Sequence, residues 1–292
     1  MCAYPITLRG GNPVRTIAGA IKITRPLNCL SALGSVILGG YLITRSTTPR
    51  LWIAAAVAAT LTAAGNVVND YFDMEIDRIN KPFRVLPSGQ MSPAAAVRWA
   101  LALVAIGLGL STLLGATMAL IAAVTAVLLY VYSWKLKSSF LMGNAVVSVA
   151  AALTVVYGGI AVGGVGPTLV PALLILLFIF CREILKTVED YEGDCQGGAR
   201  TIAVVLGKTG TLCVFGVLAV VVAFLSLLPW LLGNISVAYP ILVIPGGVVL
   251  LLSAVVLLKW PTRRYIRMAL VVTKADLVLW TVAMFIGVGL TI

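Results

Sequence analysis

Long apolar runs separated by short polar segments dominate the chain. Nine can be drawn: Pro26–Thr44, Leu51–Tyr71, Pro93–Leu114, Ala116–Trp134, Met142–Val162, Pro167–Lys186, Thr211–Leu231, Tyr239–Leu258 and Arg267–Leu290. Each is close to the roughly 20 residues a helix needs to cross a bilayer core. In lipid the backbone must satisfy its own polar groups, so each run is expected to be a helix. The short alternating segments of a membrane barrel are not seen. Val14–Arg25 reads as an interfacial lead-in helix. The expected fold is all-α and integral to the membrane, one domain over residues 1–292.

The charged positions test that count. Eighteen of the 21 Lys and Arg residues fall in the N-terminal segment and the even-numbered loops with their flanks. The odd loops hold only Arg45 and Arg50, and Lys274 lies inside the last run. Positive residues collect on the cytoplasmic side, so the N-terminus is expected inside and the C-terminus outside. The odd loops after the first are short, near Gly115, Gly163–Gly166 and Gly233–Val237, so one face carries the polar chemistry.

Composition agrees: 61% of residues are hydrophobic and 11% charged, against about a quarter charged in a soluble domain. The net charge of +11 is accounted for by topology and an anionic ligand, not by nucleic acid. Residues 1–16 are polar and Gly/Pro-containing, unlike a cleaved signal peptide. Cys2, Cys29, Cys181, Cys195 and Cys213 form no CxxC pair, so neither a disulfide framework nor a zinc site is expected. Histidine is absent, which leaves carboxylates, amides, hydroxyls and cations for any catalysis.

Nine of the ten acidic residues lie in two runs. The first reads Asn66-Val-Val-Asn69-Asp70-Tyr-Phe-Asp73-Met-Glu75-Ile-Asp77. At about 100° per residue, Asn66, Asn69, Asp70, Asp73 and Asp77 share one helix face and Glu75 points away. The second holds Glu183, then Glu189-Asp190-Tyr-Glu-Gly193-Asp194, with Gly197-Gly198 marking a helix end nearby. Asp190 and Asp194 are neighbours at i and i+4. Acidic runs at helix ends are often plain solvated surface. Two such runs on one side of a membrane protein that has one other acid, Asp276, are not explained that way.

Carboxylates gathered so closely repel unless a cation sits among them. An oxygen-only donor set favours a hard ion, Mg²⁺ before Zn²⁺, and Mg²⁺ binds through one or two carboxylates plus substrate phosphates. The expected metal ligands are Asn69, Asp73, Asp77, Asp190 and Asp194, with Asp70 assisting. Lys81, Arg84, Lys135, Lys137 and Arg200 are the nearby cations that suit a diphosphate. Arg25, Asn66, Tyr132 and Ser133 are further candidates to line the site. Lys274 and Asp276 lie in a membrane helix, where charge is costly and normally faces a cavity or partner.

The two runs resemble motifs of the UbiA superfamily of membrane prenyltransferases: NDxxDxxxD as Asn69-Asp70-Tyr-Phe-Asp73-Met-Glu-Ile-Asp77, and DxxxD as Asp190-Tyr-Glu-Gly-Asp194. Within it, Asn69 to Gln90 and Arg182 to Gly207 are most similar to archaeal digeranylgeranylglyceryl phosphate synthases. The resemblance implies nine transmembrane helices around a central cavity, with the motifs facing each other under a cytoplasmic cap. It implies Mg²⁺-dependent transfer of a geranylgeranyl group from an isoprenoid diphosphate to a lipid-like acceptor, geranylgeranylglyceryl phosphate, in the cell membrane among membrane lipids. Arg25 or the Lys135/Lys137 pair are the candidates for the phosphate on that implied second substrate. No obligate protein partner is implied. Relatives that prenylate aromatic acceptors remain an alternative. A divalent-cation transporter, a more distant one, would place its carboxylates near the bilayer midplane, not at one edge.

Overall fold

The computed structural model describes residues 13–233 and 235–290. The polar lead segment, with Cys2 and Arg9, lies outside the described residues. Among the described residues all regular structure is helical. A short α1 (Pro13–Ile23) leads into α2 (Pro26–Thr44). Next comes α3 (Pro49–Phe72), followed directly by the short α4 (Met74–Asn80). Three spans come next, α5 (Pro93–Thr112), α6 (Ala116–Trp134) and α7 (Met142–Ala161). α8 (Leu169–Glu189) carries α9 (Tyr191–Gln196) at its end. α10 (Ile202–Leu225), the one-turn α11 (Leu228–Leu231), α12 (Ala238–Lys259) and α13 (Arg263–Gly289) complete the order. Among the described residues nine helices are long and apolar enough to cross a membrane.

Successive spans pack side by side from α2 round to α13, and α13 closes against α2 and α8. Leu38, Val155, Ile175, Tyr239 and Met284 fill the junction of α2, α7, α8, α12 and α13. Large apolar side chains such as Phe224, Ile241 and Val271 stay exposed on the outer surface, as suits a lipid-facing bundle. Across the ring, α2 and α7 touch backbone to backbone. A Cβ on Gly39 would overlap the Val155 carbonyl, and one on Gly158 the Val36 carbonyl. Small residues permit this approach in membrane helices.

Helix starts follow from local chemistry. Thr48, Ser92 and Thr262 accept hydrogen bonds from the backbone N–H of Leu51 (3.2 Å), Ala95 (3.2 Å) and Tyr265 (3.4 Å), which satisfies an orphan donor of the first turn. Pro49 and Pro93 occupy helix starts, where no N–H is missed. The two cations of the odd loops are used locally. Arg50 donates from Nε to the Ala161 carbonyl at the end of α7 (2.7 Å), and Arg45 donates to the Val288 carbonyl. Late helix carbonyls lack intrahelical partners, so these arginines act as caps.

The structure differs from the hydropathy reading at particular breaks. α10 runs Ile202–Leu225 but is kinked at Gly207, whose backbone is non-helical (φ 71°, ψ 169°), so a short helix precedes the span expected from Thr211. Ser226 and Leu227 separate α11 from its end. The sixth span runs on to Glu189, and the ninth starts at Arg263 behind its Thr262 cap. Each acidic run is divided: the helix is interrupted at Asp73, between α3 and α4, and at Asp190, between α8 and α9. These breaks place both motifs at one end of the bundle.

Candidate active site

At the end of α3 and in α4, Asp70, Asp73 and Asp77 are all buried. Asn69 donates its amide N–H to Asp73 Oδ2 (2.9 Å). Its carbonyl oxygen stays available as a donor atom for a metal. Arg84, from the loop after α4, donates to Asp77 and to Asp70 Oδ1 (3.3 Å). Arg25 reaches the same Asp70 oxygen from the α1–α2 junction. Arg25 has a left-handed backbone (φ 52°), which costs a non-glycine residue about 1–2 kcal/mol. The adjoining turn is held by Asn66, whose side chain donates to the Thr24 carbonyl (2.8 Å).

At the end of α8 and in α9, Asp190 accepts from Lys81 Nζ at 2.6 Å, and Asp194 accepts from the Thr201 hydroxyl at 3.0 Å. Lys81 follows the first acidic run, so its bond to Asp190 ties the two walls together across the site. Lys137, in the 3₁₀ turn after α6, donates to Asp73, and its charge also bears on Asp190 and Asp194. Carboxylates and cations therefore alternate across a narrow gap.

The carboxyls differ in proton affinity. Burial pushes Asp77 above the ordinary carboxylate range, and Arg84 only partly offsets it. Burial also raises Asp194, helped by the negative charge of Asp190 and opposed by the Thr201 hydrogen bond. For Asp190, burial is outweighed by Lys81 and Lys186, which hold it below the ordinary range.

Among the described residues no three Asp, Glu, Cys or His side chains are assembled around a common metal position. The donor set still fits Mg²⁺, which takes one or two carboxylates and completes its shell with water and phosphate oxygens. Asp73, Asp77, Asp190, Asp194 and the Asn69 carbonyl are the oxygens that could hold it.

The UbiA prenyltransferase family matches residues 32–287. The chain belongs to this family. It is 38% identical to the digeranylgeranylglyceryl phosphate synthase of Methanopyrus kandleri over 80% of this chain and 87% of that one. It is 36% identical to the enzyme of the same name from Thermococcus kodakarensis over 91% of this chain and 96% of that one. A solved structure of digeranylgeranylglyceryl phosphate synthase superposes with a TM-score of 0.73 at 30% identity, covering 94% of this chain and 98% of the other. A UbiA homologue from Archaeoglobus fulgidus, bound to GPP and Mg²⁺, shares the fold (TM-score 0.66, 16% identity, 91% and 99% covered).

The prenyltransferase thus brings together Arg25, Asn69, Asp70, Asp73, Asp77, Lys81, Arg84, Lys137, Asp190 and Asp194. Tyr132 is buried beside them, within the fields of Lys186, Glu183, Asp73 and Arg25. Other expected residues stand apart. Lys135 and Arg200 are exposed, and neither forms an ion pair among the described residues; Arg200 is anchored by its backbone N–H on the Ser138 carbonyl (2.8 Å). Ser133 donates its hydroxyl to Leu129 of its own helix (2.9 Å). The sequence reading passed over Arg182 and Lys186 as topology signals. Yet Arg182, Lys186 and Asp190 are spaced four apart, which puts them on one stripe of α8.

Proposed function

We propose that the enzyme transfers the geranylgeranyl group of geranylgeranyl diphosphate to the hydroxyl of geranylgeranylglyceryl phosphate, forming the second ether bond of an archaeal lipid. The reaction would take place with Mg²⁺ at the cytoplasmic face of the cell membrane. The observation that carries this reading is the Lys81–Asp190 bridge (2.6 Å), which sets two acidic walls, interleaved with cations, on either side of one gap. The names of the relatives support the choice of acceptor.

Lys81, Arg84, Lys137 and Arg25 would move from their carboxylate partners towards the diphosphate oxygens and stabilise the negative charge that grows as pyrophosphate leaves. Bound at Asn69, Asp73, Asp77, Asp190 and Asp194, Mg²⁺ would neutralise the same charge as a Lewis acid. The allylic C–O bond breaks and pyrophosphate takes the electron pair. An apolar enclosure within the bundle would keep water from the allylic cation. The acceptor hydroxyl captures the cation, a new C–O bond forms, and its proton passes to the departing pyrophosphate or a motif carboxylate.

The test offers geranylgeranyl diphosphate with either geranylgeranylglyceryl phosphate or 4-hydroxybenzoate, with Mg²⁺ or with EDTA, and identifies products by mass spectrometry. The expected product is the diether phosphate, formed only with metal. Preferred prenylation of the aromatic ring would replace this acceptor, and undiminished transfer in EDTA would remove the metal.

A further inference from the structure

A second layer of charge lies beneath the acidic walls. Glu189 near the motif end bonds Arg267 of α13 at 3.2 Å, which sets those two residues level. α8 runs towards that end and α13 away from it. Arg182 is seven residues before Glu189, and Lys274 is seven residues after Arg267. At 1.5 Å per residue, both sit about 10 Å deeper, at one depth. Asn28, one turn into α2 from Arg25, accepts from Lys274 Nζ at 3.2 Å. The charges of Arg182 and Arg25 both bear on Lys274.

This layer is short of negative charge. Glu183 is the carboxylate paired with its cations, shared by Arg182 (3.2 Å) and Lys186 (3.1 Å). Lys274 has no acidic partner among the described residues, and Arg182 shares Glu183 with Lys186, whose charge also bears on Asp190 above. Arg182 Nε is buried and has no hydrogen-bond partner among the described residues. A buried, unpaired donor is costly, and so is an uncompensated ammonium within a membrane helix. Both costs fall away if an anion binds there. The layer is left with surplus positive charge, and a phosphate monoester carries about two negative charges at neutral pH.

We infer that Lys274, Arg182 and Lys186, with Asn28 orienting Lys274, form the pocket for the phosphate monoester of the acceptor, separate from the diphosphate site above it. The inference rests on the acceptor named in the proposed function. It places the acceptor's charged end below the motifs, with its hydroxyl reaching up to the allylic carbon. It also reassigns the acceptor's cations: Arg25 is engaged by Asp70 and Lys137 by Asp73 in the layer above, and Lys135 is exposed.

The experiment compares geranylgeranylglyceryl phosphate with its dephosphorylated form, geranylgeranylglycerol, at saturating donor and Mg²⁺. Lys274→Gln should raise the KM for the phosphorylated acceptor by about 10- to 100-fold, the size of a lost charged hydrogen bond. The donor KM should move by less than about 3-fold. The preference for the phosphorylated acceptor should collapse, and Lys274→Arg should restore most of it. Asn28→Asp keeps the lysine hydrogen-bonded but cancels its charge, so it should produce the same acceptor defect and carries the test if Lys274→Gln does not fold. An unchanged acceptor KM and preference in these variants, with the wild type using the phosphorylated lipid, would overturn the pocket alone. A wild type that ignores that lipid would overturn the proposed acceptor instead.

Discussion

Asp73→Ala and Asp190→Ala should each reduce prenyl transfer by about 10³-fold, the upper range for loss of one preorganised electrostatic group. Asp73 is the meeting point of Asn69 and Lys137, and Asp190 is the partner of Lys81. On the proposed mechanism, either substitution removes a metal-donor oxygen and leaves a lysine free to hold the diphosphate too tightly before transfer. The defect should lie mainly in kcat. The double variant should be scarcely worse than either single one, because groups acting as a unit are not additive. Single-turnover assays on folded, detergent-purified protein measure this. Near wild-type, Mg²⁺-dependent transfer by either variant would disprove a metal role for these carboxylates.

Gly158→Ala should cost about 3 kcal/mol of stability, as expected when a tightly packed contact is overfilled. Its new methyl would meet the Val36 carbonyl and crowd the Gly40 backbone nitrogen (3.1 Å). The obstacle is backbone, which cannot rotate aside. Gly39→Ala should behave alike through Val155. Gly34→Ala is the control: nothing lies within 4 Å of its Cβ, and alanine favours the helix by up to about 1 kcal/mol. Thermal unfolding in one detergent compares the three. Equal melting temperatures for Gly158→Ala and wild type would show that α2 and α7 are not in the contact described.

The spans were legible because lipid imposes one rule on every run: about 20 apolar residues, with polar residues only at the ends. The reading faltered at Ile202–Gly210. Gly207 and Lys208 resemble a loop in sequence, and the backbone does leave helical geometry at Gly207 (φ 71°, ψ 169°), but a short helix before that kink was not foreseen. The acidic motifs were legible from spacing alone. Their partners were not, because ion pairing across the site depends on where loops turn. Lys135 and Lys137 are two residues apart, yet the 3₁₀ turn aims Lys137 at Asp73 and leaves Lys135 exposed. Asn66 shares the arc of Asp70 but is held by the Thr24 carbonyl, a contact made only when α1 folds back. The i+4 ladder of Arg182 and Lys186 was visible in the sequence and was outweighed by the positive-inside pattern.

Where the bundle is fastened bears on how it can breathe. The glycine contact of α2 with α7, the Arg50 cap on Ala161 and the seating of Gly287 against Ile235 and Tyr239 all lie in the half of the bundle away from the motifs. At the motif end most ties between helices are side-chain ion pairs that can exchange partners, with the Arg200 N–H on the Ser138 carbonyl as a backbone tie. Such a molecule is built like forceps riveted towards the far tip: the ends free to splay are those where a prenyl chain would be threaded and released.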